Sequence, residues 1–452
     1  MYAIVIGAGE VGFQIAQRLS EEGHDVIVVD CDEARLERCR DLLDVATISG
    51  SGSHEQPLRD AEIERADLVV AVTDVDEVNI VGCLIARAFD VKRRLARITH
   101  VGPEGARSRL SESDLGLTRV INPNEEAVRE IDNLLHHTSA TEVVEYARGK
   151  LTMVRVPVND GAPMAGKELR ELSADTENRS FTIVSIQRGS QTLIPHGDDR
   201  VENGDQVSVI CRTDAVDDVA FLAGQRNEPI KRVMIVGGGD LGRNLARRLE
   251  RAKISPIIIE RDRNVCMHLN ESLDSTLVLQ GDGTDIQLLT SEGVGEMDAF
   301  IALTPDEENN ILSSLMARHH GCKKVITLIR RSDYVELMPS IGLDAVISKR
   351  LSTISGILRS VRRASIVSVT LFKDSDAEAI EVRAAKGATM VDRPLNRPSK
   401  FPRNAVIGAV IRGEAGKDEV ELASGNTVIQ PGDRVVVFGL KDAVRKAESL
   451  IG

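Results

Sequence analysis

The sequence AIVIGAGEVG, Ala3–Gly12, is an apolar run that breaks into a glycine-rich turn, which is how a nucleotide-binding βαβ unit begins. The same pattern returns near the middle of the chain in VMIVGGGDLG, Val233–Gly242. The first glycines of the two turns, Gly7 and Gly237, lie 230 positions apart. Two such turns indicate that one polypeptide carries the same unit twice.

The internal repeat extends well beyond the glycine turns. The acidic residue that closes the next strand, Asp30 in VIVVD, returns as Glu260 in PIIIE, and LVVAVTD from Leu68 returns as AFIALTP from Ala299. Three further pairs follow in the same order: GLTRVINP and GLDAVISK, GAPMAGKEL and GATMVDRPL, GDDRVENGDQVSVI and GNTVIQPGDRVVVF. The offsets of all these matches stay between 226 and 231. The chain therefore has the organisation A–B–A′–B′.

The two kinds of unit differ in their secondary-structure pattern. Each A unit alternates apolar strands and amphipathic helices, as in AIVIGA, EVGFQIAQRLSEEG and DVIVVD, which is typical of a parallel sheet with helices on both faces. The B units combine strands such as LTMVRVPV with NGD or PGD turns and indicate small α+β modules of roughly 80 residues. We predict an α/β chain with two Rossmann-like, doubly wound parallel-sheet domains, each followed by a small α+β domain. The predicted domains are residues 1–139, 140–228, 229–364 and 365–452, with joints at Thr138–Ala140, near Pro229 and near Arg362.

The composition excludes several classes of protein. With 42% hydrophobic and 28% charged residues the chain is globular, and a net charge of −13 with only 2% aromatics argues against a nucleic-acid ligand. No run is long enough for a membrane span, and MYAIVIGAG lacks the features of a signal peptide, so we expect a cytoplasmic protein. The six cysteines form no Cys-x-x-Cys pair, which favours reduced thiols over disulfides or a zinc site.

The glycine turns predict a dinucleotide site in each A unit. In G-x-G-x-x-G, the first glycine permits the turn, the second lets a pyrophosphate approach the backbone, and the third lets helix and strand pack closely. Asp30 follows at the expected spacing, where a carboxylate binds both ribose hydroxyls and would repel a 2′-phosphate, so NAD is preferred over NADP. Gly237, Gly239, Gly242 and Glu260 repeat this logic. The alternative for each unit is a Rossmann-type domain whose turn no longer binds a ligand.

Two further features lie where ligands meet an open parallel sheet. Thr73 and Thr304 follow the next strand of each unit, where a threonine either contacts the ligand or caps the following helix. GDGT, Gly281–Thr284, is a polar turn expected to face the adenosine.

Taken in order, GAGEVG and GGGDLG, VTDVDEVNIV, LTPDEENNIL, GDGTD and the PGD hairpin make the whole chain resemble the family of Trk potassium-uptake regulatory subunits (TrkA). That family is built from two RCK (KTN) nucleotide-binding domains, each followed by an RCK C-terminal domain. The resemblance implies a peripheral protein at the inner face of the cell membrane that binds NAD(H) and, in some members, ATP or ADP. It also implies a homo-oligomer, a tetrameric ring, that controls a separate membrane potassium transporter.

The resemblance also assigns site residues. In the first unit they are Gly7, Ala8, Gly9, Glu10, Val11, Gly12, Asp30, Ser51, Thr73, Asp74 and Arg97, and in the second Gly237, Gly238, Gly239, Asp240, Leu241, Gly242, Glu260, Asp282, Gly283 and Thr304. Two positions depart from the expected pattern. Ser51 stands where an Asp or Asn is expected, which weakens adenosine contact, and the counterpart of Arg97 is Leu328. The two sites therefore have different means of selecting a nucleotide.

The main alternative is an NAD-dependent oxidoreductase. Tyr146 and Lys150 in YARGK have the Tyr-x-x-x-Lys spacing of short-chain dehydrogenases, but this spacing needs a helix, Gly149 intervenes and a strand follows at once. The other A–B pair has no equivalent, so chance explains the match. The adjacent pairs His136–His137 and His319–His320 point apart on a helix and are poor joint metal ligands.

No nucleophile-elbow motif occurs in a strand–turn–helix context either. We therefore predict a regulator with no catalytic residues and no metal site. A third possibility, a redox-sensing repressor with a winged-helix DNA domain, is disfavoured by the acidic charge and by the absence of a basic recognition helix.

Overall fold

The computed structural model describes residues 1–100, 111–174, 180–189, 191–331, 334, 338, 341–361, 366–372, 377–396, 401–413 and 418–452. The strands are β1 Tyr2–Ile6, β2 Asp25–Asp30, β3 Ala46–Ser49, β4 Leu68–Ala71, β5 Arg93–Arg97, β6 Arg119–Ile121, β7 Glu142–Tyr146, β8 Leu151–Pro157, β9 Phe181–Arg188, β10 Gln191–Leu193, β11 Gln206–Arg212, β12 Arg232–Val236, β13 Ser255–Glu260, β14 Leu277–Gln280, β15 Ala299–Ala302, β16 Lys324–Leu328, β17 Ala345–Ile347, β18 Ile366–Leu371, β19 Ala377–Arg383, β20 Ala405–Arg412, β21 Glu419–Leu422 and β22 Arg434–Leu440. The α-helices are α1 Glu10–Glu21, α2 Glu33–Leu42, α3 Glu55–Asp60, α4 Asp76–Ala88, α5 Pro123–His136, α6 Leu169–Ala174, α7 Val216–Leu222, α8 Asp240–Arg251, α9 Arg263–Ser272, α10 Ile286–Ser291, α11 Glu307–His319, α12 Lys349–Ser360 and α13 Lys441–Ile451.

The first compact unit comprises Met1–Ala127 and Ser348–Val361. Its six-stranded sheet is parallel throughout, in the order β3-β2-β1-β4-β5-β6. The side chains of β1 alternate between two cores, one shared with α1, α2 and α12 and the other with α3 and α4. Because helices cover both faces, β1 is apolar along its whole length rather than at every second residue. This is the predicted doubly wound arrangement.

The second compact unit comprises Val128–Ile347 and Arg362–Gly452. Its parallel sheet has the order β14-β13-β12-β15-β16-β17, so it repeats the topology of the first sheet. Two five-stranded antiparallel sheets complete the unit, β10-β9-β11-β8-β7 and β18-β19-β22-β20-β21. They share one apolar core, in which the Tyr146 ring meets the Phe438 ring edge-on at 6.4 Å between centroids. The predicted fold class is confirmed. The predicted boundary between residues 364 and 365 lies outside the described residues.

Most of the cysteine side chains are buried. All six cysteines lie in the described part of the chain and are free, and only Cys31 is exposed. Burial raises the pKa of the Cys83, Cys211 and Cys322 thiols to about 12, so these three stay protonated at neutral pH. Among the described residues, no helix combines the length and apolar character needed to cross a lipid bilayer.

The segment Thr138–Ala140, where a domain joint is predicted, is held by a buried lysine. Lys324, at the start of β16, donates from Nζ to the carbonyl oxygens of Thr138 (2.9 Å) and Ala140. Burial lowers the pKa of Lys324 to about 8, the positive charge of Arg318 acts in the same direction, and the Asp344 carboxylate opposes both. Burial of this ammonium group therefore costs free energy, which its two hydrogen bonds to backbone carbonyls offset in part.

This cost predicts a pH dependence of stability. Between pH 8 and the ordinary lysine pKa of 10.5, the unfolded chain binds the Lys324 proton more tightly than the folded chain does, so this residue makes the fold more stable as the pH rises. Relative to Lys324→Met, the wild-type protein should gain about 2 kcal/mol between pH 7.5 and pH 10. Denaturant unfolding at both pH values measures this difference. Lys323→Met, at the exposed neighbour that pairs with Glu228, is the matched control and should show no such gain. Parallel pH profiles for wild type and Lys324→Met would contradict the assignment.

Candidate nucleotide-binding sites

The first glycine turn is formed by close contacts between backbone atoms. Gly7 has φ +104°, a conformation that L side chains rarely adopt, and a Cβ there would lie 3.0 Å from the Thr73 nitrogen. A Cβ at Gly12 would lie 1.7 Å from the Gly7 carbonyl oxygen. The second turn repeats both restrictions, with φ +103° at Gly237 and 2.1 Å between a Gly242 Cβ and the Gly237 oxygen. These four glycines are required by the turn itself.

The middle glycines differ, because the protein does not need them for packing. Gly9 is the N-cap of α1, and the nearest atom to a Cβ built on it is Arg35 Nη1 at 3.8 Å. Gly239 caps α8, and a Cβ there would meet nothing within 4 Å. Each position leaves open space beside the first amides of a helix, which have no intrahelical partner. A helix N-terminus of this kind suits the pyrophosphate of a dinucleotide.

Each predicted ribose carboxylate lies against its glycine turn. The Asp30 carboxylate accepts the backbone N–H of Ala8 at 2.5 Å and that of Asp32 at 2.9 Å. Glu260 accepts from Gly238 at 2.7 Å and from Asp262 at 2.8 Å. Each carboxylate therefore joins the turn to the end of the second strand. Its oxygens keep lone pairs that can accept ribose hydroxyls.

The side chains after each turn explain why the ligand would meet mainly backbone. Ala8 and Leu241 are 3% exposed, and Val11 packs against the apolar core that α1 shares with β1. These residues can offer a ligand their N–H groups but little side chain. Glu10 and Asp240 instead carry carboxylates beside the turn. Glu10 pairs with Arg38 Nη1 at 2.5 Å, and Asp240 pairs with Arg243 at 2.7 Å.

Each site has one buried asparagine, Asn79 or Asn310, that supports its rim and that the sequence pattern did not single out. Asn79 Oδ1 accepts the N–H and hydroxyl of Thr73 (2.9 and 2.8 Å), and its Nδ2 donates to the carbonyls of Thr73 (3.0 Å) and Arg97 (2.8 Å). Asn310 makes the same four bonds to Thr304 and Leu328, at 2.7 to 3.1 Å. Each asparagine thus joins the ends of two adjacent strands. The repeated Asn of VTDVDEVNIV and LTPDEENNIL was the available signal.

One helical turn before each asparagine lies an acidic residue, whose carboxylate accepts backbone N–H groups of the loop that follows β5 or β16. Asp76 accepts the N–H groups of Thr99 and His100 at 3.0 Å. Glu307, which is buried, accepts those of Arg330 at 2.9 Å and Arg331 at 3.1 Å. The rim of each site is therefore preorganised by side chains that bond to backbone.

The two sites differ at the positions where the sequence departs from the family pattern. Arg97 forms an ion pair with Asp74 at 2.6 Å, whereas Leu328 is a buried apolar residue. Ser51 shares a 2.8 Å hydrogen bond with Ser53. Asp282 accepts the backbone N–H and hydroxyl of Thr284 at 2.9 and 2.7 Å, and these bonds lower the pKa of its carboxyl group. The second turn thus presents a fixed negative charge where the first presents a hydroxyl.

Both of these turns approach the first strand of their sheet closely. A Cβ at Gly52 would lie 2.1 Å from an Ile6 side-chain carbon, and one at Gly283 would lie 2.1 Å from a Val236 side-chain carbon. Close packing at these glycines places Ser51 and Asp282 beside the start of the glycine turn.

The dehydrogenase-like spacing does not form an α-helix, because Tyr146 and Lys150 flank a single turn of 3-10 helix, Ala147–Gly149. Tyr146 ends strand β7, is buried, and its hydroxyl donates to Thr370 Oγ1 at 3.1 Å. Lys150 Nζ donates to the Asp418 carbonyl at 2.7 Å. Both groups make structural contacts in the second unit rather than a proton-transfer pair with each other. Within the described ranges, no cluster of three or more His, Cys, Asp or Glu side chains could hold a metal ion.

Comparison with known domain families follows the internal repeat. Residues 3–123 and 233–349 match the TrkA-N domain, and residues 153–223 and 379–452 match the TrkA-C domain. The alternation of the two domains is the A–B–A′–B′ order inferred above.

Curated relatives align with this chain from end to end. Trk system potassium uptake protein TrkA homolog 1 of Methanosarcina mazei is 34% identical over 99% of this chain and 99% of its own. The Trk system potassium uptake protein TrkA of Halomonas elongata is 35% identical over 100% of this chain and 98% of its own. That of Vibrio alginolyticus is 35% identical over 97% and 95%, respectively.

Solved structures with the same fold include the GsuK RCK domain, at a TM-score of 0.57 and 17% identity over 99% of this chain and 94% of that chain. A GsuK channel bound to NAD has a TM-score of 0.56 and 16% identity over 99% and 78%. At these identities the likeness concerns the fold.

Proposed function

The chain belongs to the family of Trk system potassium uptake proteins TrkA, and we propose that it is the nucleotide-binding regulatory subunit of a Trk-type membrane potassium transporter. The observation that carries the proposal is the pair of glycine turns. Each leaves open space beside a helix N-terminus at its middle glycine, Gly9 or Gly239. A turn that had lost its ligand would have no physical reason to keep that position free of a side chain.

We infer that NAD(H) occupies the first site. Asp30 lies at the end of the second strand, where a carboxylate accepts two ribose hydroxyls and disfavours a 2′-phosphate. The second site has the same elements, and ATP or ADP is the other nucleotide class we propose for this protein. The binding residues proposed for both sites are those assigned by the family resemblance.

The remaining features of the proposal follow from family membership. The protein acts at the cytoplasmic face of the membrane through its transporter partner, as a homo-oligomeric, tetrameric ring, and binds no nucleic acid. It is a regulator rather than an enzyme, a view supported by Tyr146, whose hydroxyl is buried against Thr370. The four domains are proposed at residues 1–139, 140–228, 229–364 and 365–452.

The proposed output is a change in domain arrangement when one nucleotide replaces another. A ligand shifts such an equilibrium only by its differential affinity for the two states, and a hundredfold preference supplies about 2.7 kcal/mol. That amount is enough to change which of two arrangements predominates.

The test of the nucleotide assignment is NADH binding to an Asp30→Ala variant. Loss of this carboxylate removes the ribose acceptor and the bonds to Ala8 and Asp32, at about 1.5–3 kcal/mol for each charged hydrogen bond. Calorimetry should show NADH affinity at the first site at least tenfold weaker. Asp30→Glu is the matched control, because Glu260 makes the same pair of bonds in the second unit. Unchanged affinity in Asp30→Ala would refute the assignment.

A further inference from the structure

Glu10 is an unusual neighbour for a phosphate-binding turn. It is the first residue of α1 and follows Gly9 directly, so its carboxylate lies beside the open space at the helix N-terminus. A carboxylate stabilises a helix N-terminus, but it repels a phosphate anion that binds there. Such a site needs compensating positive charge.

Two arginines supply that charge from different parts of the chain. Arg38, on α2, pairs with Glu10 at 2.5 Å, and its guanidinium lies over the Phe13 ring at 4.3 Å from the ring centroid. Arg350, on α12, lies with Nη1 3.6 Å from Glu10 Oε2. The Arg350 side chain is 21% exposed, and its Nε is buried without a hydrogen-bond partner among the described residues.

The position of Arg350 depends on the helix that carries it. Arg350 is the second residue of α12, which begins two residues after the end of β17, the last strand of the second parallel sheet. The α12 residue Ile357 is fully buried in the core that also contains Ile15 and Leu19 of α1. A shift of α12 along α1 would therefore carry Arg350 away from Glu10.

At the second site, the arginine that pairs with the acidic residue lies on the same helix as that residue. Asp240, the counterpart of Glu10, pairs with Arg243 one turn further along the same helix, α8. This compensating charge lies on the same helix as Asp240 and moves with it.

We propose that Arg350 is a positioning residue for the first site: by neutralising Glu10 it sets the affinity for the phosphate groups of a nucleotide. Through α12, the segment that leaves the second sheet thereby adjusts binding at the first turn. The inference rests on the proposed nucleotide-binding function and adds a residue, supplied from more than 300 positions away in the sequence, that controls it.

The test is a double-mutant cycle on the full-length protein, with the second site blocked by Gly239→Ala so that only the first site is titrated. NADH and ATP are titrated calorimetrically into the Gly239→Ala parent and into parents carrying Arg350→Ala, Glu10→Gln or both. Arg350→Ala should weaken binding of both nucleotides five- to twentyfold, because the Glu10 charge is left partly uncompensated. Glu10→Gln should restore affinity in the double variant to within about twofold of the parent (a rescue that general loss of packing would not give).

The single substitution Glu10→Gln is a second test, and its result does not depend on whether Arg350→Ala folds correctly. It removes the repelling charge and leaves both arginines, so nucleotide affinity should rise severalfold. Arg350→Lys, which keeps the charge, should bind within about threefold of the parent. Two results would overturn this inference alone. One is nucleotide affinity in Arg350→Ala equal to that of the parent, and the other is failure of Glu10→Gln to restore affinity in the double variant. No nucleotide binding by wild-type protein would instead overturn the proposed function.

Discussion

Gly12→Ala is expected to destabilise the first parallel-sheet domain by more than about 3 kcal/mol, beyond the usual 1–3 kcal/mol of an overpacked core. Its Cβ would lie 1.7 Å from the Gly7 carbonyl oxygen, which is backbone and cannot rotate away. Helix α1 would have to move off strand β1, opening the core that contains Ile15 and Leu19. Thermal unfolding and hydrogen exchange of β1 and α1 amides measure this loss.

Gly9→Ala is the matched substitution, and we expect it to weaken nucleotide binding without lowering stability. Its Cβ would have only Arg35 Nη1 nearby, at 3.8 Å, so the melting temperature should stay within about 2 °C of wild type, as for other substitutions that create no clash. The added methyl group occupies the space proposed for the pyrophosphate, and NADH binding at the first site should fall at least a hundredfold. Gly242→Ala and Gly239→Ala should repeat the contrast in the second site, since the corresponding distances are 2.1 Å and nothing within 4 Å. Normal NADH affinity in both Gly9→Ala and Gly239→Ala would remove the basis of the nucleotide proposal.

Asn79→Ala is expected to cost about 3–5 kcal/mol in the stability of the first domain. The substitution removes four hydrogen bonds and leaves the Thr73 N–H and the Thr73 and Arg97 carbonyls without this partner at the carboxyl ends of β4 and β5. A buried donor or acceptor left unsatisfied costs about 1–3 kcal/mol. Asn310→Ala should cause a similar loss in the second sheet, where the same four bonds exist.

Denaturant unfolding at pH 7.5 gives the magnitude of the asparagine effect, and hydrogen exchange at Thr73 locates it. Val81→Ala is the control, because Val81 lies on the same helix, α4, and is 36% exposed. Its cost should stay below about 1 kcal/mol. A loss in Asn79→Ala no larger than that of Val81→Ala would mean that the asparagine does not hold the strand ends together.

The structure agrees with the sequence most closely where a feature depends on neighbouring residues. The glycine spacing of Gly7, Gly9 and Gly12 predicts a strand–turn–helix because the steric requirements act within six residues. The same spacing predicts Asp30 as a ribose acceptor. It does not predict the hydrogen bond from Ala8 to Asp30, because this contact depends on how β2 lies beside β1.

The contacts of the buried asparagines also could not be predicted from the sequence. Asn79 looks like an ordinary polar residue in a helix, and its value arises from the carbonyl of Arg97, 18 positions later, which only strand pairing brings near. The repetition of this asparagine in both A units indicates that it matters, but the sequence does not show which backbone groups it contacts.

The duplicated pair of a parallel-sheet domain and an α+β domain can be predicted from the sequence, because periodicity and turn chemistry are local and occur twice. The packing of α12, which follows the second sheet, on α1 of the first cannot be predicted in this way, and neither can the contact of Arg350 with Glu10 that results from it. An amphipathic helix such as Lys349–Ser360 specifies that one face must be buried, but not which apolar surface buries it. That choice depends on the shape and volume of residues hundreds of positions away, so it is made by packing and not by any pattern in the segment itself.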